Sequence, residues 1–172
     1  MIITGSNRHT SFDNNISSRS EVVEQKQEVV SVGYQEEAIT STLKAKLSSY
    51  EFYAYHSEHF DSYNTPEGYQ KIAFLFELEN VSDSDIKLWS EKIGLTADDY
   101  EVKTSSLKAP GGNFATVVQG KEVYEDISSG TVGANSKLKG YVGYLVPTDK
   151  KELKFTIGKY IIIKMDNPAY KG

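Results

Sequence analysis

The chain has no cysteine among its 172 residues. That excludes disulfides, thiolate metal sites and cysteine nucleophiles. No apolar run approaches the ~18 residues of a membrane span. Positive charge is in the minority: 19 Lys and Arg stand against 24 Asp and Glu, a formal net charge of −5. A nucleic-acid binder carries a basic footprint, so this balance argues against one. Histidine is scarce, with three in all. The start of the chain is short of aromatics: of 12 Tyr, 7 Phe and 1 Trp, only Phe12 precedes Tyr34. What is present is 38% hydrophobic residues. A chain this long can bury roughly 70% of its unfolded surface in one core.

A core needs large apolar side chains, so residues 1–33 read as a leader outside it. Ser, Asn, Thr and Arg fill Ile3 to Ser20, the composition of a disordered segment. Ser18 and Glu21 stand at capping-box spacing, and Val22, Val23, Val29 and Val30 would then share a helical face. A helix over 20–31 is therefore open, but three turns alone are marginal in water, and a tether is the favoured reading. No secretory signal is visible. Met1 reads either as the start of a cytoplasmic protein or as a start behind a removed signal or lipidated anchor. The polar leader favours the second, because an anchored domain needs a flexible spacer.

From residue 40 the pattern has period two. In Lys71–Glu79, Ile72, Phe74, Phe76 and Leu78 face one side, which predicts a half-buried strand. Ala73 and Leu75 on its other side point to a central position. The turn signal Asn80-Val81-Ser82-Asp83 ends it. In Thr42–Tyr55 the apolar set is Leu43, Ala45 and Leu47, then Tyr50, Phe52 and Ala54 after Ser48-Ser49. That parity switch predicts a β-bulge or a break. Lys137–Val146 reads as a strand stopped by Pro147, with Gly140 and Gly143 weakening it unless they admit close neighbours. Leu153–Ile157 and Tyr160–Met165, divided by Gly158, read as a hairpin or two adjacent strands. Tyr100–Lys103 and Phe114–Val118 are shorter strand candidates, and Ala109–Asn113 is a turn. Ile86, Trp89 and Ile93 fit helical spacing, but the surrounding period favours a strand over Ile86–Leu95. Short strands at 8–12-residue spacing predict a β-sandwich or barrel.

The chemical motifs are weak. Ala115 to Glu122 fails a Walker loop at both its first glycine and its hydroxyl. No Gly-x-Ser-x-Gly elbow is present. His56 and His59, with Asp61 nearby, are a faint zinc candidate, but a polar turn explains them as well. Asp83, Asp85, Asp98 and Asp99 could offer oxygens to calcium, without EF-hand spacing. Asn15 and Asn80 head glycosylation sequons of the kind frequent by chance. Tyr50–Tyr55, continuing to Phe60 and Tyr63, is the richest aromatic stretch. If Tyr50 and Phe52 face the core, Tyr53 and Tyr55 point outward. Tyrosine suits a binding platform, and it also packs across strands.

The order of features resembles the immunoglobulin-like domains of unknown function in secreted proteins and lipoproteins of Gram-positive bacteria. Val32-Gly33 before the first strand, Ile72–Asn80, and Ala97–Tyr100 without the family's glycine carry part of the resemblance. Ser129-Gly130-Thr131-Val132-Gly133-Ala134, then Leu138 to Pro147 and Leu153 to Ile157, carries most of it. These motifs mark strand ends and turns, so they bring over no catalytic residue. The resemblance implies an extracytoplasmic two-sheet sandwich, often tethered by an N-terminal lipid.

The expectations are these. The fold is all-β, an immunoglobulin-like two-sheet antiparallel sandwich over 34–167. A flexible or partly helical leader over 1–33 precedes it, and a tail over 168–172 follows. The function is a non-enzymatic binding or adhesion module at a bacterial surface. Its ligand is protein, cell wall or glycan, it uses no cofactor, and Tyr53, Tyr55 and Tyr63 are the ligand-binding candidates. Loops 56–68 and 104–113 are the favoured places for function. A cytoplasmic regulatory or mobile-element protein is the alternative, and a hydrolase using carboxylates such as Glu51 or Glu77 is a remoter one.

Overall fold

The computed structural model describes residues 27–53, 58–59, 64–105, 117–119 and 122–172. Its strands, in chain order, begin with β1 (Val30–Gly33), β2 (Glu37–Ile39), β3 (Leu43–Phe52) and β4 (Tyr69–Asn80). Then come β5 (Ile86–Lys87), β6 (Ile93–Ala97), β7 (Tyr100–Glu101), β8 (Val117–Gln119) and β9 (Glu122–Tyr124). The series closes with β10 (Thr131–Val132), β11 (Lys137–Pro147), β12 (Glu152–Ile157) and β13 (Ile161–Asp166). Two large sheets result, ordered β1-β13-β12-β6-β7 and β11-β4-β3-β2. Two short ribbons, β10-β5 and β8-β9, accompany them. Placing β4 beside β11 in one sheet, and β6, β12 and β13 in the other, matches the B–E and C–F–G adjacency of immunoglobulin strands. One edge pair, β1 with β13, is parallel.

The alternation in β4 does what its pattern requires. Ile72, Phe74, Phe76 and Leu78 are buried between the sheets. Phe155 from β12 meets them, with its ring centroid 4.7 Å from that of Phe74 and 5.6 Å from that of Phe76. Tyr144 joins this cluster, and its hydroxyl donates to the Ile93 carbonyl at 2.6 Å, so its one polar atom is satisfied inside the core. Burial pushes the Tyr144 phenol well above its usual range. The parity switch in β3 is a register shift: Leu47 pairs with Phe76 and Ser49 with Leu75, leaving Ser48 as the extra residue. The bulge keeps its backbone partners, because the Gln35 amide donates to Leu47 O at 3.1 Å and its side chain to Ser48 O at 3.3 Å.

On the outer face of the β11-β4-β3-β2 sheet, Ala73, Leu75 and Tyr141 make a second, small cluster. The long strand β11 lies at a sheet edge but is not left open. Leu145 N donates to Lys103 O and Ser105 N to Gly143 O on one stretch, and Tyr141 N donates to Glu125 O on the next. Covering an edge in this way blocks strand addition. Gly140 permits it: a Cβ there would stand 2.1 Å from Ile127 Cγ2 and 2.6 Å from Glu125 O.

Several expectations change. The sandwich begins before residue 34: β1 lies within the stretch assigned to the leader, with Val30 and Val32 packed against the core. A β-branched pair on an edge strand fills core space without an aromatic, which the aromatic count could not register. Within the range proposed for a helix, Val30 and Ser31 are strand and residues 20–26 lie outside the described residues. The C-terminal tail also belongs to the body. Ala169 is buried, and Asn167 Nδ2 donates to Pro147 O and Lys150 O at 2.9 and 2.8 Å. Ile86–Leu95 is not one strand but β5, a turn and the start of β6. Of Phe114–Val118, only Val117 and Val118 are described, as part of β8; the turn at 109–113 lies outside the described residues.

Candidate functional site

Of the tyrosines nominated from sequence, Tyr53 is half-buried on the outer face, packed against the Ala73, Leu75 and Tyr141 cluster beside Tyr124. Its amide donates to Lys71 O at 2.8 Å. Tyr55 and Tyr63 lie outside the described residues, as does His56, while His59 is exposed. Tyr50 does pack against the core, but Phe52 is exposed at the end of its strand. Loops 56–68 and 104–113 are described only in part.

The acidic residues divide between two places. Asp85 Oδ1 accepts from Ala134 N at 3.0 Å, beside the β10–β11 turn. Asp98 caps the start of β12, accepting from Lys151 N and Glu152 N at 3.2 and 3.1 Å. Those N–H groups, first that of Glu152, hold its carboxyl below the usual range. Among the described residues no group of three His, Cys, Asp or Glu could hold a metal ion. Glu51 stands opposite Ala73 and Glu77 four residues further along β4. That is roughly 13 Å of strand, more than a carboxylate pair spans. Glu77 is instead ion-paired with Lys139 at 3.0 Å. Asn80 cannot serve as a sequon acceptor, because it is fully buried and its amide is committed. Its Nδ2 donates to Ser84 O at 2.7 Å and Val132 O at 2.9 Å, and its Oδ1 accepts from Ser82 N and Oγ.

The chain's one tryptophan makes the most open aromatic surface among the described residues. Trp89 is 60% exposed on the turn between β5 and β6. The turn is rigid for local reasons. Lys87 O accepts from Ser90 N, Glu91 N and Ser90 Oγ at 3.1, 2.9 and 3.0 Å. Leu88 is buried in the core and donates its amide to Gly130 O at 2.9 Å. The backbone is thus pinned on one side of Trp89 and closed on the other, while the indole stays in water. Lys87 Nζ lies 5.9 Å from its ring centroid, a cation–π contact.

Trp89 borders a groove of about 530 Å³ at the end of the sandwich where the β12–β13 turn meets the start of β3. That volume lies within the ~300–1,000 Å³ of small-molecule sites. Leu43, Ile157 and Ile161, all buried, give it an apolar floor. Tyr160, 38% exposed, also lines it, together with Thr42, Ser82 and Ser84. Gly158 adopts a left-handed φ of 56°, and Glu91 Oε2 lies 2.5 Å from where its Cβ would be. Glycine is therefore needed both for the turn and for the approach of the carboxylate. Gln27 Nε2 is enclosed at the groove with no hydrogen-bond partner among the described residues. Sequence reading missed this site by running Trp89 into a strand over Ile86–Leu95, where the structure has a turn. The available signal was its polar surroundings, Ser90-Glu91-Lys92 after it and Lys87 before.

In fold the chain is similar to a candidate lipoprotein of Bacillus subtilis, with a TM-score of 0.50 and 14% identity. The match covers 76% of this chain and 38% of that one, so the chain spans under two-fifths of that protein. An uncharacterised β-sandwich protein of Clostridium difficile matches at a TM-score of 0.46 and 18% identity, over 83% of this chain and 97% of the other. A protein of unknown function from Listeria monocytogenes matches at 0.44 and 12%, over 69% of each. No family model and no curated protein matches. No described helix is long and apolar enough to cross a membrane.

Proposed function

We propose that the chain is a non-enzymatic, extracytoplasmic binding module of a bacterial surface protein or lipoprotein, and that its ligand is received in the groove beside Trp89. One observation carries the reading: an indole held in water by a turn that is itself locked to the core. An exposed tryptophan gives up hydrophobic stabilisation of ~1.5–3 kcal/mol available to a buried aromatic, and a rigid one loses little entropy when a ligand covers it. The likeness in fold to a candidate lipoprotein supports the surface location, as does the sequence resemblance to immunoglobulin-like domains of secreted Gram-positive proteins. A rigid sandwich presenting turns at one end is a common way to build such a site.

The test has two arms. Antibody labelling of intact cells of the producing organism should detect the protein at the surface. Purified Gram-positive cell-wall material should retain the wild-type protein and release Trp89→Ala, with the two proteins equally folded by circular dichroism. Cytoplasmic fractionation, or equal retention of both proteins, overturns the reading.

A further inference from the structure

We infer that the ligand of the Trp89 groove is a neutral saccharide; this rests on the binding-module reading. The argument is one of chemical matching. The groove's charged side chains are Asp85 and Glu91 against Lys87 and Lys159, which sum to zero. A site for a polyphosphate would carry excess positive charge, and a site for a basic peptide excess negative charge. Neither excess is present, so net-neutral chemistry is favoured.

A neutral ligand must still match two contrasting surfaces. Trp89 and Tyr160 offer ring faces whose negative quadrupole attracts C–H edges. Around them are groups that exchange hydrogen bonds with hydroxyls: the Glu91 carboxylate as acceptor, the enclosed Gln27 Nε2 as donor, and the Thr42 and Ser84 hydroxyls as either, while those of Thr40, Ser82 and Ser90 already donate within the protein. A sugar ring is apolar on its C–H face and polar around its rim. It can therefore lie on an aromatic face while its hydroxyls reach such groups. A purely apolar ligand would leave these polar groups unpaired on desolvation.

Because Trp89 is the chain's one tryptophan, the emission reports on the surroundings of that side chain, and Glu91, which lines this groove and not the neighbouring cavity beside Lys92 and Thr104, tells the two sides of the indole apart. The probes are tetrasaccharides of N-acetylglucosamine and of glucose, a panel of immobilised neutral bacterial oligosaccharides, polyglycerol phosphate, and an extended Lys-rich peptide. At least one neutral saccharide should bind on the panel and shift the Trp89 emission to the blue. Trp89→Ala should weaken panel binding by about tenfold or more. Glu91→Gln, which keeps the size and loses the charge, should weaken it by several-fold. Tyr170→Ala, an exposed aromatic at the other end of the β12–β13 hairpin, should leave it unchanged. A shift with polyglycerol phosphate or the peptide alone overturns the saccharide assignment and leaves the binding-module reading standing. No response to any probe, while cell-wall retention still depends on Trp89, does the same. Loss of that dependence overturns both.

Discussion

Replacing Asn80 by alanine tests how the groove wall is held. Asn80 ends β4 and ties the following loop to β10 through four hydrogen bonds, two from Nδ2 and two to Oδ1. At a net ~0.5–1.5 kcal/mol each, the four bonds set a range of about 2–6 kcal/mol. Ser82 and Ser84 stand near the surface and regain water, whereas Val132 O is reached by a buried bond. An estimate of about 3 kcal/mol follows, with most of the loss at Val132. For a domain of this length that is about 6–12 °C in Tm. Urea unfolding should show a lower midpoint at unchanged slope, because no additional surface is exposed. Asn80→Asp should cost at least as much, because it sets a carboxyl against two carbonyl oxygens. The same loosening should reach Ser82 and Ser84 at the groove and weaken ligand retention. A change below about 0.5 kcal/mol, the range of ordinary surface substitutions, would refute the claim that this side chain holds the loop.

Three further outcomes follow from the geometry. Gly140→Ala should destabilise by ~1–3 kcal/mol or more through overpacking; Ile127→Ala is itself costly because Ile127 is buried, and the two together should cost less than their sum by only part of the Gly140 penalty, because Glu125 O still obstructs the new Cβ, so full additivity in urea unfolding would contradict this. Burial, with smaller contributions from Asp126 and Tyr53, raises the Tyr141 phenol to about 12 from 10.0, so its share of stability is complete below pH 10 and is lost as pH rises toward 12. Tyr141→Phe should flatten the fall of the urea midpoint across that window. The Asp98 carboxyl is held below 3.8, so its contribution is present above that pH and disappears on further acidification. Asp98→Asn suits the left-handed φ of 47° and should lose less stability than the wild type in acid, measured by thermal unfolding across that range.

The parts of the fold that were legible in sequence are those where one residue decides one face. Ile72 to Leu78 alternate because one face of β4 meets Phe155, and a single inserted serine in β3 moves every later side chain to the other face. Gly140 was readable as a weakness in a strand, and its reason, the close passage of Ile127, exists only in three dimensions. Val30 and Val32 were assigned to the leader because their burial depends on pairing with β13, about 130 residues later in the chain. The groove was illegible for the same reason. Trp89, Tyr160 and Thr42 come from three separate turns, and no local pattern says that they share one end of the sandwich. Tyr53 was read correctly as facing away from Tyr50, but its neighbours Leu75 and Tyr141 come from other strands.

The most direct test of the account is amide hydrogen exchange on the protein with and without solubilised cell-wall fragments. Ligand binding should slow exchange at Lys87–Glu91 and Gly158–Ile161 and leave Lys150–Glu152 and Asn167–Lys171, at the other end of the β12–β13 hairpin, unchanged. Protection confined to that other end, or to the outer face around Tyr53 and Tyr141, would contradict the assignment of the Trp89 groove.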